Sequence, residues 1–298
     1  MIEQLRYVRL AADNLGGAAD FAQRVLGLEP IDRNETLATF RSDYRDHTLA
    51  FTQGAQGAEA PQCLGLEVRY PDHLNEAVER LSKLGIAAKR GTTEDCALRK
   101  VKDMLAFIDF SGNRIELVVR PLNSGWRYFP SRDAGIKGLA EVMLRSTNVE
   151  KDLEIWSSLG AVVADWAGDA AYLRFDDAHH RIVLYPADRP GILAVEYAVE
   201  DVNLLMRNFY VLQNLQVPVL HGPGRRPVSE QLFLTFAGPG DVYFSFVAEG
   251  LAAPATLPDD APVNINRPRQ FPAGPEGLCG WGSECKIAEF NATADATD

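Results

Sequence analysis

GLAEVMLRS (residues 138–146) reads as a β-strand, and it opens a second pass through an order of elements that the chain has already used once. Upstream, QLRYVRL (4–10) is a strand. GGAADFAQRVLGLEP follows, with Phe21, Val25 and Leu28 on one helical face and Gly27 and Pro30 at the exit. Short strands TLATFR (36–41), HTLAFTQ (47–53) and LGLEVRY (64–70) come next. Then come a helix, HLNEAVERLSKLG (73–85), and the strands MLAFIDF (104–110) and RIELVVR (114–120) about the turn SGN. Downstream of 138–146 the order returns. A helix, VEKDLEIWSSLG (149–160), precedes strands AAYLRFD, HRIVLYP and LAVEYAVE. A longer helix, DVNLLMRNFYVLQNLQ (201–216), leads to QLFLTFA and DVYFSFV about the turn GPG.

An internal repeat of about 130 residues, one helix then several strands twice over in each copy, is the main organisational fact. One-for-one alternation of strand and helix would predict a doubly wound parallel sheet. This order instead predicts an α+β fold of tandem βαβββ modules whose strands curl around a cleft. The expected division is an N-terminal domain of two modules (1–121), a linker rich in turn formers and aromatics (122–137), a C-terminal domain with the cleft (138–250), and a Pro/Gly-rich tail (251–298). Phe271, Leu278, Trp281 and Phe290 give the tail groups worth burying, so it is expected to wrap across the body or a partner subunit.

The 298 residues suffice for two domains with a buried core, and the composition, 46% hydrophobic and 24% charged, is that of a globular chain. A formal charge of −11 argues against nucleic acid or an anionic membrane as partner, since both would repel it. The four cysteines, Cys63, Cys96, Cys279 and Cys285, form no C-x-x-C pair and suggest reduced thiols. No apolar run is long enough to span a bilayer, and the start MIEQLRYVRLAADN does not resemble a secretion signal. A cytoplasmic location is the expectation.

With the repeat in view, LRYVRLAADN, DFSGNRIELVVRP, SGWRYFPSRDAGI, HHRIVLYPADRPGI, HGPGRRPVSEQLFLTFAGPGD and RPRQFPAGPEGLCGWGS appear in an order and spacing that resemble the vicinal oxygen chelate superfamily, in particular two-domain type I extradiol ring-cleavage dioxygenases. The resemblance covers about residues 3–285. It implies a metal-free N-terminal domain and a C-terminal domain holding Fe(II) or Mn(II) with two histidines and a glutamate, one face left open for catecholate and dioxygen.

Carried over by position, the ligands fall on Glu141, Ala194 and Phe244, or Ser245 if the turn GPGD is one residue short. These cannot form that triad. Arg226 stands where a histidine is usual, and Thr235 near a usual tyrosine; His180 alone matches the family's acid/base histidine. Glu116, with Tyr7 opposite it in the opening strand, reads as a relic of a metal glutamate in the first domain.

The expected chemistry is therefore metal-independent, with no cofactor: acid/base catalysis of isomerase, lyase or lactone-opening type by Glu141, His180 and Glu196. Arg226 or Arg225 would clamp an anionic or phenolic small-molecule substrate, and Thr235, Phe244 and Ala194 would line its pocket. Other readings stay open: a ligand-binding protein, a hetero-oligomeric partner of an active dioxygenase, or a dioxygenase with a rewired metal site, for which His221, Glu230 and Asp241 are the available donors. A homo-oligomer is expected.

Overall fold

The computed structural model describes residues 1–54, 62–251 and 267–292. Two large mixed sheets form the frame. The first contains eight strands: β1 (Ile2–Ala12), β2 (Glu29–Arg33), β3 (Leu37–Arg41), β4 (Leu49–Gln53), β5 (Cys63–Val68), β6 (Ala88–Arg90), β7 (Asp103–Ile108) and β8 (Arg114–Val119), in the order β2-β3-β4-β1-β5-β8-β7-β6. The second contains β9 (Ile136–Ser146), β10 (Val162–Ala167), β11 (Ala170–Arg174), β12 (Ile182–Pro186), β13 (Gly191–Val199), β14 (Val219–Arg225), β15 (Leu232–Ala237) and β16 (Tyr243–Ala248). Its order is β14-β15-β16-β13-β9-β12-β11-β10, extended at the β10 edge by β17 (Arg269–Phe271) from the tail.

The two orders are one pattern read from opposite ends. In each half the first strand pairs parallel with the fourth and antiparallel with the fifth, and the fifth pairs parallel with the eighth. This is the two-domain arrangement of paired βαβββ modules that the repeat predicted.

The helices form where capping and periodicity agree. Asn14, Asn148 and Asp201 accept from the third residue beyond them at the starts of α1 (Leu15–Asp20), α4 (Val149–Ser158) and α5 (Val202–Asn214). After α1 the chain widens into a π-helical turn over Phe21–Leu26. It stops at Gly27, whose φ of 85° is one that a side chain would strain. In α2 (Asp72–Lys83), Leu74, Ala77 and Leu81 are buried against the first sheet. The helices cover one face of each sheet, and their apolar stripes share one core with Phe40, Leu66, Leu144, Val195, Phe236 and Phe244. Burial of that face alone fixes strand register, because a slip of one residue would turn every side chain over.

The sequence left the strands β2, β6, β10, β14 and β17 unread, with the helix α3 (Thr93–Arg99) and the short tail helices Pro275–Leu278 and Ala288–Ala292. The linker lies against the first half: Arg41 donates to the carbonyls of Trp126 (3.1 Å) and Arg127 (2.9 Å). The described tail residues run back over the second sheet. Arg145 holds Glu289 at 2.9 Å, and the Phe290 ring packs at a tilt against Tyr185.

Candidate active site

Register across the second sheet builds the site. Glu141 on β9 lies opposite Glu196 on β13, Glu196 beside Ser245 on β16, Ser245 opposite Thr235 on β15, and Thr235 opposite His221 on β14. Directly opposed residues share a face, so five strands present one continuous polar row on the side away from the helices. His180, just before β12, reaches the end of that row.

Arg226, in the link between β14 and β15, closes the row from above. Its Nη1 and Nη2 donate to Glu196 Oε2 and Oε1 at 2.7 and 2.6 Å, and Nη1 also meets Glu141 Oε2 at 3.3 Å. Phe233 lies under the guanidinium, 5.1 Å away. Gln231 donates to Glu141 Oε1. His180 Nε2 stands 2.9 Å from Glu141 Oε2, at ion-pair range but without the alignment of a directed hydrogen bond. Two lone pairs would repel at that distance, so a proton lies on one of the two.

Behind His180 the contacts continue outward. His179 Nδ1 is 3.1 Å from His180 Nδ1, His179 Nε2 is 2.9 Å from Asp165 Oδ2, and Asp165 is held by Arg269 of β17 at 2.6 Å.

Burial opposes every charge here, and pairing decides the outcome. Burial pushes the Glu141 carboxyl up, but His180 and Arg226 outweigh it and hold it well below the usual range. Burial lifts Glu196; Arg226 pulls it down, Glu141 lifts it again, and the net direction is up. Burial disfavours the Arg226 charge, yet Glu196 and Glu141 keep it more firmly protonated than usual. His221 has no partner at Nε2. Burial, with the charge of Arg226, drops its pKa to about 4, so it is a neutral imidazole at pH 7.

The cavity on this face is lined by Glu196, Arg226, His221, Thr235, Ser245 and Ala194, with apolar walls that include Phe233 and the tail residues Leu278 and Phe290. Its free volume is about 10 Å³, room for one water.

These positions correct several expectations. Phe244 points to the opposite face, 5.0 Å from the Phe21 ring, and Ser245 takes the cleft position; strand alternation allows only one of the two. Arg225 is turned outward and bonds the carbonyl of Glu230, because its strand neighbour Gly224 faces Cys279 and Phe233. Arg226 is not a free anion clamp: two carboxylates already hold it. Glu141 and His180 are buried beneath Arg226 rather than on the cavity wall. His221, Glu230 and Asp241 do not meet, since Glu230 pairs with Arg225 and Asp241 with Arg189. Glu196, Ala194 and Thr235 do line the cavity. Sequence reasoning gave no role to Gln231 and named His221 only as a candidate metal donor.

The first sheet carries a parallel arrangement. Tyr7 on β1, Gly65 on β5 and Glu116 on β8 form a row. Tyr7 OH donates to Glu116 at 2.7 Å, and Arg99, at the end of α3, holds the same carboxylate through Nε and Nη2.

Residues 4–117 match the Glyoxalase/Bleomycin resistance protein/Dioxygenase superfamily. The chain is 27% identical over 228 residues to an iron-dependent extradiol dioxygenase of Rhodococcus jostii (strain RHA1), covering 67% of this chain and 73% of that protein. It is 29% identical over 206 residues to a 3-methylcatechol 2,3-dioxygenase of Pseudomonas putida, covering 64% and 69%. Among solved structures, a halotolerant catechol dioxygenase superposes with TM-score 0.81 at 19% identity over 91% of this chain and 92% of that one. A Mn(II)-bound glyoxalase from Novosphingobium aromaticivorans superposes with TM-score 0.82 at 20% identity over 97% and 93%. The first half matches that superfamily's model, and the chain as a whole resembles extradiol dioxygenases in sequence and shares their fold. Its matched relatives are enzymes.

The residues do not fit the divalent metal that this resemblance implies. Ala194 has no donor atom, Ser245 Oγ is engaged by Thr235 Oγ1 at 2.8 Å, and the one carboxylate of the three, Glu141, already faces Arg226 and His180. A cation arriving here would meet N–H groups. Among the described residues, no group of three or more His, Cys, Asp or Glu side chains is placed to hold a metal ion. No described helix is long and apolar enough to cross a membrane.

Proposed function

We propose that the C-terminal cleft carries out metal-independent proton transfer on a small aromatic or related compound, in an isomerase, lyase or lactone-opening reaction. The observation that carries this reading is the Glu141–Arg226–Glu196 contact on the cleft floor. There a carboxyl with a raised pKa faces the cavity while its partner stays ionised behind it.

Glu196 is the acid/base at the wall. A raised pKa brings a carboxyl nearer to working pH, where proton transfer in both directions is efficient. Arg226 steadies the ionised form of Glu196 and the negative charge that develops on a ligand oxygen beside it. Glu141 and His180 form the layer behind and hold the proton that resets the pair. His221, neutral and unpartnered at Nε2, faces the ligand's hydroxyl or carbonyl. Because the guanidinium charge is matched by two carboxylates, the cleft favours an uncharged ligand over a carboxylate. Entry requires Leu278 and Phe290 of the tail to move aside, since the present free volume admits one water.

The test is turnover of a panel of phenols, hydroxylated ring ketones and aromatic lactones by protein treated with EDTA. Unimpaired turnover is expected, and Glu196→Gln should lower kcat by about 10²–10⁴-fold. Catechol ring cleavage that EDTA abolishes and Fe(II) restores would overturn the proposal.

A further inference from the structure

We infer that Arg226 is the resident cation of the C-terminal cleft, a guanidinium built into the chain at the point where the two carboxylates require a positive charge. This deepens the proposed function by saying why that cleft operates without a metal. Its basis is independent of any reaction.

Glu141 and Glu196 stand directly opposite each other on paired strands, both buried, and like charges so placed repel. A proton on one of them or a cation between them makes the pair tolerable, and here a cation is in place. Arg226 Nη1 fills that point, 2.7 Å from one carboxylate and 3.3 Å from the other. The first half reaches the same solution separately. Its buried sheet carboxylate, Glu116, is bound by Arg99, which comes from the link between β6 and β7. Arg226 comes from the link between β14 and β15, the matching pair of strands in the second half. Burial pushes Glu116 up, but Arg99 wins and holds it low. The two halves of the repeat thus each use a guanidinium from the same connection to neutralise a buried sheet carboxylate.

The experiment is cation replacement, read by thermal unfolding and metal analysis. Wild-type protein dialysed against Mn(II) or Co(II) should retain far less than one metal per chain, with no change in Tm on adding or chelating metal. Arg226→Ala should lose roughly 5–10 °C in Tm. Low-millimolar methylguanidinium should recover part of that loss, and should not do so for wild type or Arg225→Ala. If Arg226→Ala does not accumulate folded, Arg226→Lys against Arg226→Met gives the same reading: the lysine, which keeps the charge, should stay nearer wild-type Tm. A stoichiometric metal in wild type would overturn the inference, as would no response to methylguanidinium or equal losses in the lysine and methionine variants. Chelator-resistant turnover in a wild type that nevertheless loads Co(II) would sink this inference and leave the proposed function standing. Metal-free wild type that turns over no panel substrate would do the reverse.

Discussion

His221 shows how a single side chain can carry a measurable consequence that no motif announces. It is buried beside Arg226, packed edge-on against Phe233 at 4.7 Å with Phe290 at 6.3 Å, and its Nε2 has no partner. Its folded pKa of about 4 lies below the roughly 6.5 of an unfolded histidine. Between those values the unfolded chain binds a proton that the folded protein refuses, so stability rises with pH across that window. The contribution is complete above about pH 6.5 and is lost as pH falls towards 4. His221→Asn cannot titrate, so the stability gap between wild type and variant should shrink by on the order of 2–3 kcal/mol from pH 7 to pH 4.5. Urea unfolding at both pH values measures it, and parallel curves for the two proteins would refute the assignment. That Glu141, Glu196, His180 and Arg226 would come together was legible because they sit in short recognisable segments. That Arg226 would be spent on Glu196 was not, since a contact across 30 residues depends on a link whose path no local pattern specifies. The position of Phe244 turned on one residue in the GPGD turn, and strand alternation converts such an ambiguity into the wrong face.

Elements were legible in proportion to their length and periodicity. The long helices α2, α4 and α5 were all placed by the sequence reading, while the caps of α4 and α5 at Asn148 and Asp201 emerged with the structure. In contrast, β14 includes HGPGR, whose glycines and proline argue against a strand; it forms because β15 supplies its partner, with register shifts at His221 and Gly224. β17 has three residues and exists only as an edge addition to β10. The seven-residue helix α3 did leave a trace. Thr92 and Asp95 make a capping box, each side chain bonding the other's backbone N–H. That cap has a structural duty, since α3 ends on Arg99, the guanidinium that neutralises buried Glu116. Thr92→Ala should cost about 1 kcal/mol. The loss would appear as a lower urea midpoint at unchanged slope, together with faster amide exchange confined to α3 and its surroundings. An unchanged midpoint would mean that Arg99–Glu116 positions the helix without help from its cap.

At the scale of the whole molecule, the four-module order was readable, but the bracing between the halves was not, because it is made by side chains reaching foreign backbone. The turn after β7, residues 109–113, plugs into the second half. Asn113 donates to the Arg145 carbonyl at 2.8 Å and accepts from Gly191 N at 2.7 Å. Asp152 of α4 accepts from Ser111 N at 3.2 Å and from Ser146 Oγ at 2.6 Å. Asp109 is buried at the base of this plug, and desolvation with the nearby charge of Asp152 raises its pKa to about 6, although Asn113 donates to it. A carboxyl whose folded pKa exceeds its unfolded value of roughly 3.9 contributes stability below that value and loses it as pH rises through 6. The seam should therefore weaken between pH 4 and pH 6. Asp109→Asn keeps one oxygen to accept from Asn113 N, gives up the acceptor facing Asn113 Nδ2, and discards the charge. It should raise stability at pH 7.5 by roughly 1–3 kcal/mol, while at pH 4 the two proteins should differ little. Because the seam ties the halves together, the gain should appear as an upward shift of a single unfolding transition. Two separating transitions, or a variant weaker than wild type at pH 7.5, would show that Asp109 is held ionised by partners the bracing supplies and that the halves melt on their own terms.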